Sequence, residues 1–485
     1  MPAVMLSLIA VSFGAVFIYA ISEVGVLKGL LLVIVVPVVG LLVPGAVRKT
    51  IRLISNLRPN LRWWHGLWLL LYLSALLFRV RTDTDIQESL LDPWAVYRVV
   101  SVGVTAAVLA GRLLFQKTAW FGSILRGSVG AMAAYCCLCL ASTLWSTHPA
   151  WTLYKSVEFF VDVALTAAIL VAVPSVRAYK SLFDWTYLLF ALQLTSVWVG
   201  AAISPAHALL PASGLLPVQL YGIIPAEHAN GVGQIGAVLA IVAVSRLLSN
   251  PYKRHSSALL YGLLGMGAAT MILAQTRSAI IGFLVGLVLV LYFSKRLGMI
   301  AVLGIAALLL ASLTGWGTFV NEYLHRGQST QLVDSLSGRL DWWELGWAEF
   351  LKHPWTGVGA YTSRFEVLAK LGDLETSTIH NSYLEVLLGV GILGLIPLIA
   401  ALGWTWRQLV RTLRRCRYDS PEGGLALEAV GILSVLFVRS FLSTEFIYHP
   451  ALCFFLILGY AELLRRRWNN MVHAVQPSMH TTGVY

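Results

Sequence analysis

Three short polar groups stand out from a chain that is otherwise apolar: Arg277, Arg339 and the pair His380-Asn381. Two guanidiniums with a nearby imidazole suit transfer from a phosphorylated donor. A guanidinium forks onto phosphate oxygens with two parallel hydrogen bonds. A neutral imidazole can take a proton from a hydroxyl, because its unperturbed pKa lies near working pH. Each residue also has a plainer reading. Arg277, between Leu273-Ala274 and Ala279-Ile280-Ile281, could snorkel to lipid headgroups. Arg339 could meet a lipid phosphate from an interfacial helix, and His380-Asn381 could simply cap a helix.

Around Arg339, the residues Leu340, Trp343, Trp347 and Phe350 recur at helical spacing. Ser337 is the expected N-cap, which puts Arg339 in the first turn, where unpaired backbone N–H groups also attract an anion. Trp342 and Trp343 read as interfacial anchors or as substrate platforms. His353-Pro354 and Gly357-Val358-Gly359 read as a tight turn. Glu385 lies one turn into the next apolar run, and pairing with an outer arginine is the expected reason. Glu227-His228-Ala229-Asn230 opens another run, so His228 and Asn230 are candidates for glycan contact or for N-capping. Arg439 and Glu445 read as a structural ion pair.

The elements that must position these groups are membrane helices. Of 485 residues, 58% are hydrophobic and 12% charged, against about 25% charged in a soluble protein. Runs such as Ala3–Ile21, Leu30–Val47 and Ile280–Phe293 are membrane-like. The expected fold is all-α: a polytopic integral membrane protein of about 12–14 transmembrane helices, counting ~20 residues per span, with one large outer loop containing short helices. The expected division is a transmembrane bundle over 1–315, the loop over 316–381, further transmembrane helices over 382–466, and a disordered tail over 467–485. Met1-Pro2-Ala3-Val4 has no basic leader, so the first helix reads as retained. Asp162 and Glu158 are the acids expected inside a span.

Alternating the sides puts roughly two thirds of the 35 Lys and Arg on one set of loops, which the positive-inside rule assigns to the cytoplasm. Arg277, Arg339 and His380 then share the opposite face. The net charge of +12 follows from those basic loops and implies no nucleic acid. The five cysteines, Cys136, Cys137, Cys139, Cys416 and Cys453, suggest neither a disulfide framework nor a metal site. Gly282-x-x-x-Gly286 and Gly389-Val390-Gly391-x-x-Gly394 suit close helix packing.

The order and spacing of Thr276-Arg277-Ser278, Ser337-Gly338-Arg339 with the Trp pair, His353-Pro354, Gly357-Val358-Gly359, His380-Asn381-Ser382-Tyr383-Leu384-Glu385 and the Gly389–Gly394 segment resemble the bacterial O-antigen ligase and polymerase superfamily. The resemblance covers about residues 205–400. It implies a glycosyltransferase of the inner membrane with its site facing the periplasm. The implied donor is a glycan on undecaprenyl pyrophosphate. The implied acceptor is a sugar hydroxyl of lipid A-core for a ligase, or a second lipid-linked glycan for a polymerase. His380, Arg339 and Arg277 would be catalytic, and Asn381, Trp342, Trp343, Glu385, His228 and Asn230 would bind substrate. No cofactor and no metal are implied. The family's ligases have about 12 spans against the about 14 counted here. A transporter would instead show mid-span charges and repeated broken helices. A scaffold would not need the arginines and histidine on one face.

Overall fold

The computed structural model describes residues 61–76, 93–115, 122, 125–212, 216–249, 257–312, 322–323, 335–336, 338–373, 376–449 and 451–475. The two expected spans near the N-terminus, the acidic stretch 83–92, most of 313–337 and the end of the tail lie outside these residues. The apolar runs fold as helices: α1 (Trp63–Leu76), α2 (Pro93–Phe115), α3 (Gly127–Ala141), α4 (Pro149–Ala172), α5 (Val176–Ile203), α6 (Ala229–Ser249), α7 (Ser257–Leu273), α8 (Arg277–Phe293) and α9 (Leu297–Ser312). After them come α10 (Arg339–Lys352), α11 (Ser382–Arg415), α12 (Pro421–Arg439) and α13 (Leu452–Val475). The protein is an all-α polytopic membrane protein. Among the described residues, α2, α3, α5, α6, α11 and α12 are long and apolar enough to cross a bilayer. The only sheet among the described residues is two small antiparallel ladders between α5 and α6. Leu209–Pro211 pairs with Val218–Leu220, and Gly222–Ile223 with Ala226–Glu227. Nothing in the apolar pattern announces them.

Helix α4 has 24 residues but carries Lys155, Glu158 and Asp162. Its charges are tolerable because they are paired. Arg98 Nε lies 2.6 Å and Lys155 Nζ 2.9 Å from the Glu158 carboxylate, and Asp162 meets His449 Nδ1 at 2.9 Å. An unmatched charge in such a place would cost several kcal/mol, on the order of 3–5. At another buried point Arg246 bridges Glu428 and Asp184 at 3.0 and 2.7 Å.

Small residues set the helix spacing. A Cβ on Gly286 would come within 2.9 Å of the Gly431 carbonyl, and one on Gly282 within 3.0 Å of the Val435 carbonyl. The Gly-x-x-x-Gly face therefore brings α8 backbone-close to α12, as its spacing predicts.

Helix α11 is broken at Gly391, whose φ of 65° and ψ of −163° only glycine adopts without strain. The break frees backbone groups that lipid could not satisfy. The turn after α10 supplies the partners. Ile392 N donates to Pro354 O (2.9 Å) and Leu393 N to Trp355 O (3.3 Å), while Val358 N and Gly359 N donate to Leu388 O and Gly389 O (both 2.9 Å). The same turn is held from the other side by α3 and α4. Ala360 N donates to Ser142 Oγ (3.0 Å), and Thr152 Oγ1 and Trp151 Nε1 donate to the carbonyls of Ala360 and Tyr361 (both 2.9 Å). The segment 354–361 is thus wired into the bundle through hydrogen bonds to its backbone.

Candidate functional site

The starts of α6, α8 and α11 and the end of α12 meet at one end of the bundle. Thr276 Oγ1 donates to Ala229 O (3.0 Å), Ser382 N to Ser440 O (2.9 Å) and Ser382 Oγ to Ser443 O (3.0 Å). Arg277 is the first residue of α8 and comes two positions after Gln275, which has a φ of 50°. Gln275 is fixed by its amide, which donates to the carbonyls of Leu216 (3.2 Å) and Val218 (3.0 Å). The sharp turn sets Arg277 at the helix start.

Arg339 is the first residue of α10. The N-cap position expected of Ser337 is taken by Gly338 at φ 80°, with no side-chain cap; Ser337 lies outside the described residues. A left-handed Gly338 turns the chain sharply, and Ser335 Oγ accepts from its N–H (3.1 Å). Helix α10 docks on the approach to α11 through Trp343, whose indole N–H donates to Ile379 O (2.8 Å). Phe350 is buried, but Leu340 and Trp347 are exposed. With Trp343, Asn381, Leu384 and Phe441 they line an open, mostly apolar groove of 680 Å³.

His380 sits at φ 53°, a conformation that few residues other than glycine adopt. The helix start beside it holds the strain: Asn381 Oδ1 accepts from the N–H groups of Tyr383 (3.0 Å) and Leu384 (3.1 Å), capping α11. Trp342 packs against the imidazole at 5.9 Å between ring centres. Among the described residues neither ring nitrogen of His380 has a hydrogen-bond partner.

The electrostatics tie the groups together. Burial, followed by the charges of Arg339, His228 and Arg439, pushes the His380 imidazole down to about 3, and Asp373 opposes this only weakly. Burial and the neighbouring Arg439 and Arg277 pull Arg339 below its ordinary value. Arg277, Arg339, Arg439, His228 and His380 therefore share one electrostatic environment. Glu445 neutralises Arg439 (2.9 Å). Among the described residues no carboxylate pairs with Arg339. Such a site holds an excess of positive charge and a neutral imidazole.

Other expected residues lie less directly. Glu385 does not pair with an arginine among the described residues. Its carboxylate accepts from Tyr448 O–H (3.0 Å) and Ile379 N–H (3.4 Å), which satisfy it without a cation. His228 is exposed, stacks edge-on to Tyr221 at 5.2 Å and accepts from Asn230 N–H at Nδ1 (3.2 Å). Asn230 thus meets His228 through its backbone. Arg439 is the residue that sequence reasoning undervalues. Its pairing with Glu445 is as expected, but it also donates to Ser278 Oγ (3.2 Å) and Gln234 Oε1 (3.4 Å) and bears on both Arg339 and His380. The signal that could have found it is that the turn after α12 is expected on the same face as the turns that carry Arg277 and Arg339.

The family model described as O-antigen ligase matches residues 262–399, a stretch that holds Arg277, Arg339 and His380 but neither His228 nor Arg439. No curated protein matches the chain.

Proposed function

We propose that this chain, whose residues 262–399 match the O-antigen ligase family model, is an inner-membrane ligase that moves a glycan from undecaprenyl pyrophosphate to a sugar hydroxyl of lipid A-core on the periplasmic face. The observation that carries this reading is the shared field of Arg277, Arg339, Arg439 and His380, with Arg339 unmatched by any described carboxylate.

In the reaction the acceptor oxygen attacks the anomeric carbon as the bond to the pyrophosphate oxygen breaks. The proton of the hydroxyl passes to His380, whose nitrogens have no partner among the described residues and which burial, with the neighbouring Arg339, keeps neutral beforehand. Negative charge grows on the leaving pyrophosphate. Arg277 and Arg339 meet it from two helix starts, whose backbone N–H groups add to the attraction. Pyrophosphate is already a good leaving group, so no general acid is needed, and the single displacement inverts the anomeric centre. The groove along Leu340, Trp343, Trp347 and Leu384 offers the polyprenyl chain an apolar path beside Asn381. Trp342 braces His380.

Purified protein given lipid-pyrophosphate-linked glycan tests the reading, with lipid A-core in one tube and no added acceptor in another. A single new glycolipid formed only with lipid A-core is the expected product. A ladder of lengthening lipid-linked glycans without it would make the protein a polymerase of O-antigen, capsule or exopolysaccharide repeats. No product in either tube, with His380→Ala cells indistinguishable from wild type, would favour a transporter.

A further inference from the structure

Glu445, the carboxylate that neutralises Arg439, also lines a cavity of 310 Å³ between α1, α5, α6 and α13. Its polar lining is mostly nearly buried and already ordered. Tyr72 O–H donates to Gln193 Oε1 (2.5 Å), Gln193 Nε2 to Glu227 Oε2 (3.5 Å) and Gln234 Nε2 to Glu445 Oε2 (2.5 Å). Gln193, Glu445 and His449 are each more than nine-tenths buried. Among the described residues Glu227 has no ion-pair partner, and burial pushes its carboxyl up to about 7. The rest of the wall is apolar, including Phe190, Ile235 and Leu436.

A partly open cavity with this lining, whose amides and carboxylates keep further donors and acceptors, suits an occupant that hydrogen-bonds on several sides. Carboxylates and amides arranged around an apolar wall suit the alternating hydroxyls and C–H faces of a sugar ring. Phosphate is a poor fit, because the nearest guanidinium, Arg439, is already committed to Glu445. The volume sits at the small end of ligand pockets, which run to about 300–1,000 Å³. It has room for a monosaccharide ring and not for a repeat unit. The cavity also neighbours the candidate site. Glu227 precedes His228, whose charge reaches His380, and the lining residue Thr444 touches Thr378 (3.5 Å), two residues before His380.

We propose that this cavity is an acceptor subsite that takes one uncharged sugar ring, held by Gln193, Glu227, Gln234 and Glu445, and so presents a hydroxyl toward His380. The inference rests on the transfer reading for the meaning of the bound sugar, but the binding itself does not. An acidic sugar is disfavoured above pH 7, where Glu227 is ionised and its carboxylate would face that of the sugar.

The test is saturation-transfer NMR on the full chain in nanodiscs, with free glucose, galactose, N-acetylglucosamine and glucuronic acid as probes. At least one neutral sugar binds to wild type and glucuronic acid does not. At pH 8, where Glu227 is ionised, Glu227→Ala weakens that binding about tenfold, the loss of a hydrogen bond to a charged group, and the cavity-filling Ala75→Phe abolishes it. The isosteric Glu227→Gln, which keeps the side-chain shape, weakens it in the same direction and guards against misfolding. Arg339→Ala leaves it intact. Absence of binding by every neutral sugar, equal binding of glucuronic acid, or binding indifferent to both Glu227→Ala and Ala75→Phe overturns the proposal. Because the readout needs no turnover, a failure here leaves the transfer mechanism standing, and a failure of transfer leaves this result readable.

Discussion

Ile392 donates its backbone N–H to the carbonyl of Pro354 at 2.9 Å, so a loop residue completes the hydrogen bonding of a broken membrane helix. The break depends on Gly391. A Cβ there would fall inside the Trp355 carbonyl, and the backbone angles exclude other residues. Gly391→Ala is therefore expected to cost at least about 2 kcal/mol and to unseat the turn that follows α10. Gly338→Ala is the comparator: its φ is also positive, but no atom would meet the new Cβ, so only about 1 kcal/mol of backbone strain is expected. Thermal unfolding in detergent should rank the two, with Gly391→Ala the less stable.

The depressed His380 has a consequence for pH. An ordinary histidine would be half protonated near 6.5, and this one only near 3. Transfer should therefore persist well below pH 6 in the free enzyme, as followed by kcat/KM. The effect of Arg339 on this limb can be separated with Arg339→Lys, which keeps the charge, and Arg339→Gln, which removes it. Removing a positive neighbour eases protonation, so Arg339→Gln moves the acid limb upward toward 6.5, while Arg339→Lys leaves it near the wild-type position. An unmoved limb in Arg339→Gln would mean that the two groups do not interact.

Glu227 titrates in the opposite sense. Its folded carboxyl is raised to about 7 by burial, above the ordinary 4.5. Between those values the folded chain binds the proton more tightly than the unfolded chain does. Stability from this group is therefore present below pH 4.5 and is lost as pH rises through 7. Glu227→Gln cannot ionise and escapes that loss. Its melting temperature should exceed that of wild type at pH 8, with the gap closing by pH 5.

The Arg439–Glu445 pair is buried on both sides. Arg439→Ala strands a carboxylate, a cost of about 3–5 kcal/mol. The double variant Arg439→Gln with Glu445→Gln removes both charges and should recover much of that stability. A double-mutant cycle of Arg439→Gln, Glu445→Gln and the two together, followed by denaturant unfolding, measures the coupling. Transfer should stay low in the double variant, because the charge of Arg439 also bears on Arg339 and His380.

Much of the architecture was legible because a bilayer demands long apolar helices, and a chain with 12% charged residues has few other folds. The Gly282–Gly286 face was legible for the same reason, since small residues at that spacing have little else to do. The clustering of Arg277, Arg339 and His380 was legible from loop charge and motif order. The features that stayed hidden depend on partners far apart in the chain. The break at Gly391 needs Pro354 and Trp355, and no periodicity reveals that one glycine in a helix borrows hydrogen bonds from a turn 37 residues earlier. The same holds for Glu385, where an arginine was expected and Tyr448 and the Ile379 amide serve instead. Gly338 takes the N-cap expected of Ser337 because the chain reaches Arg339 through a left-handed turn, which side-chain propensity does not report.

The most direct measurement is single-turnover glycan transfer by purified wild type, His380→Ala, Arg339→Ala and Arg277→Lys, each first shown to be folded and membrane-inserted. The expected result is a loss of about 10²–10⁴ in rate for His380→Ala and of about 10²–10³ for Arg339→Ala. Arg277→Lys should be impaired as well, because an ammonium cannot fork onto phosphate. Transfer at the wild-type rate by folded His380→Ala or Arg339→Ala would contradict the assignment of proton acceptance and pyrophosphate stabilisation to these residues.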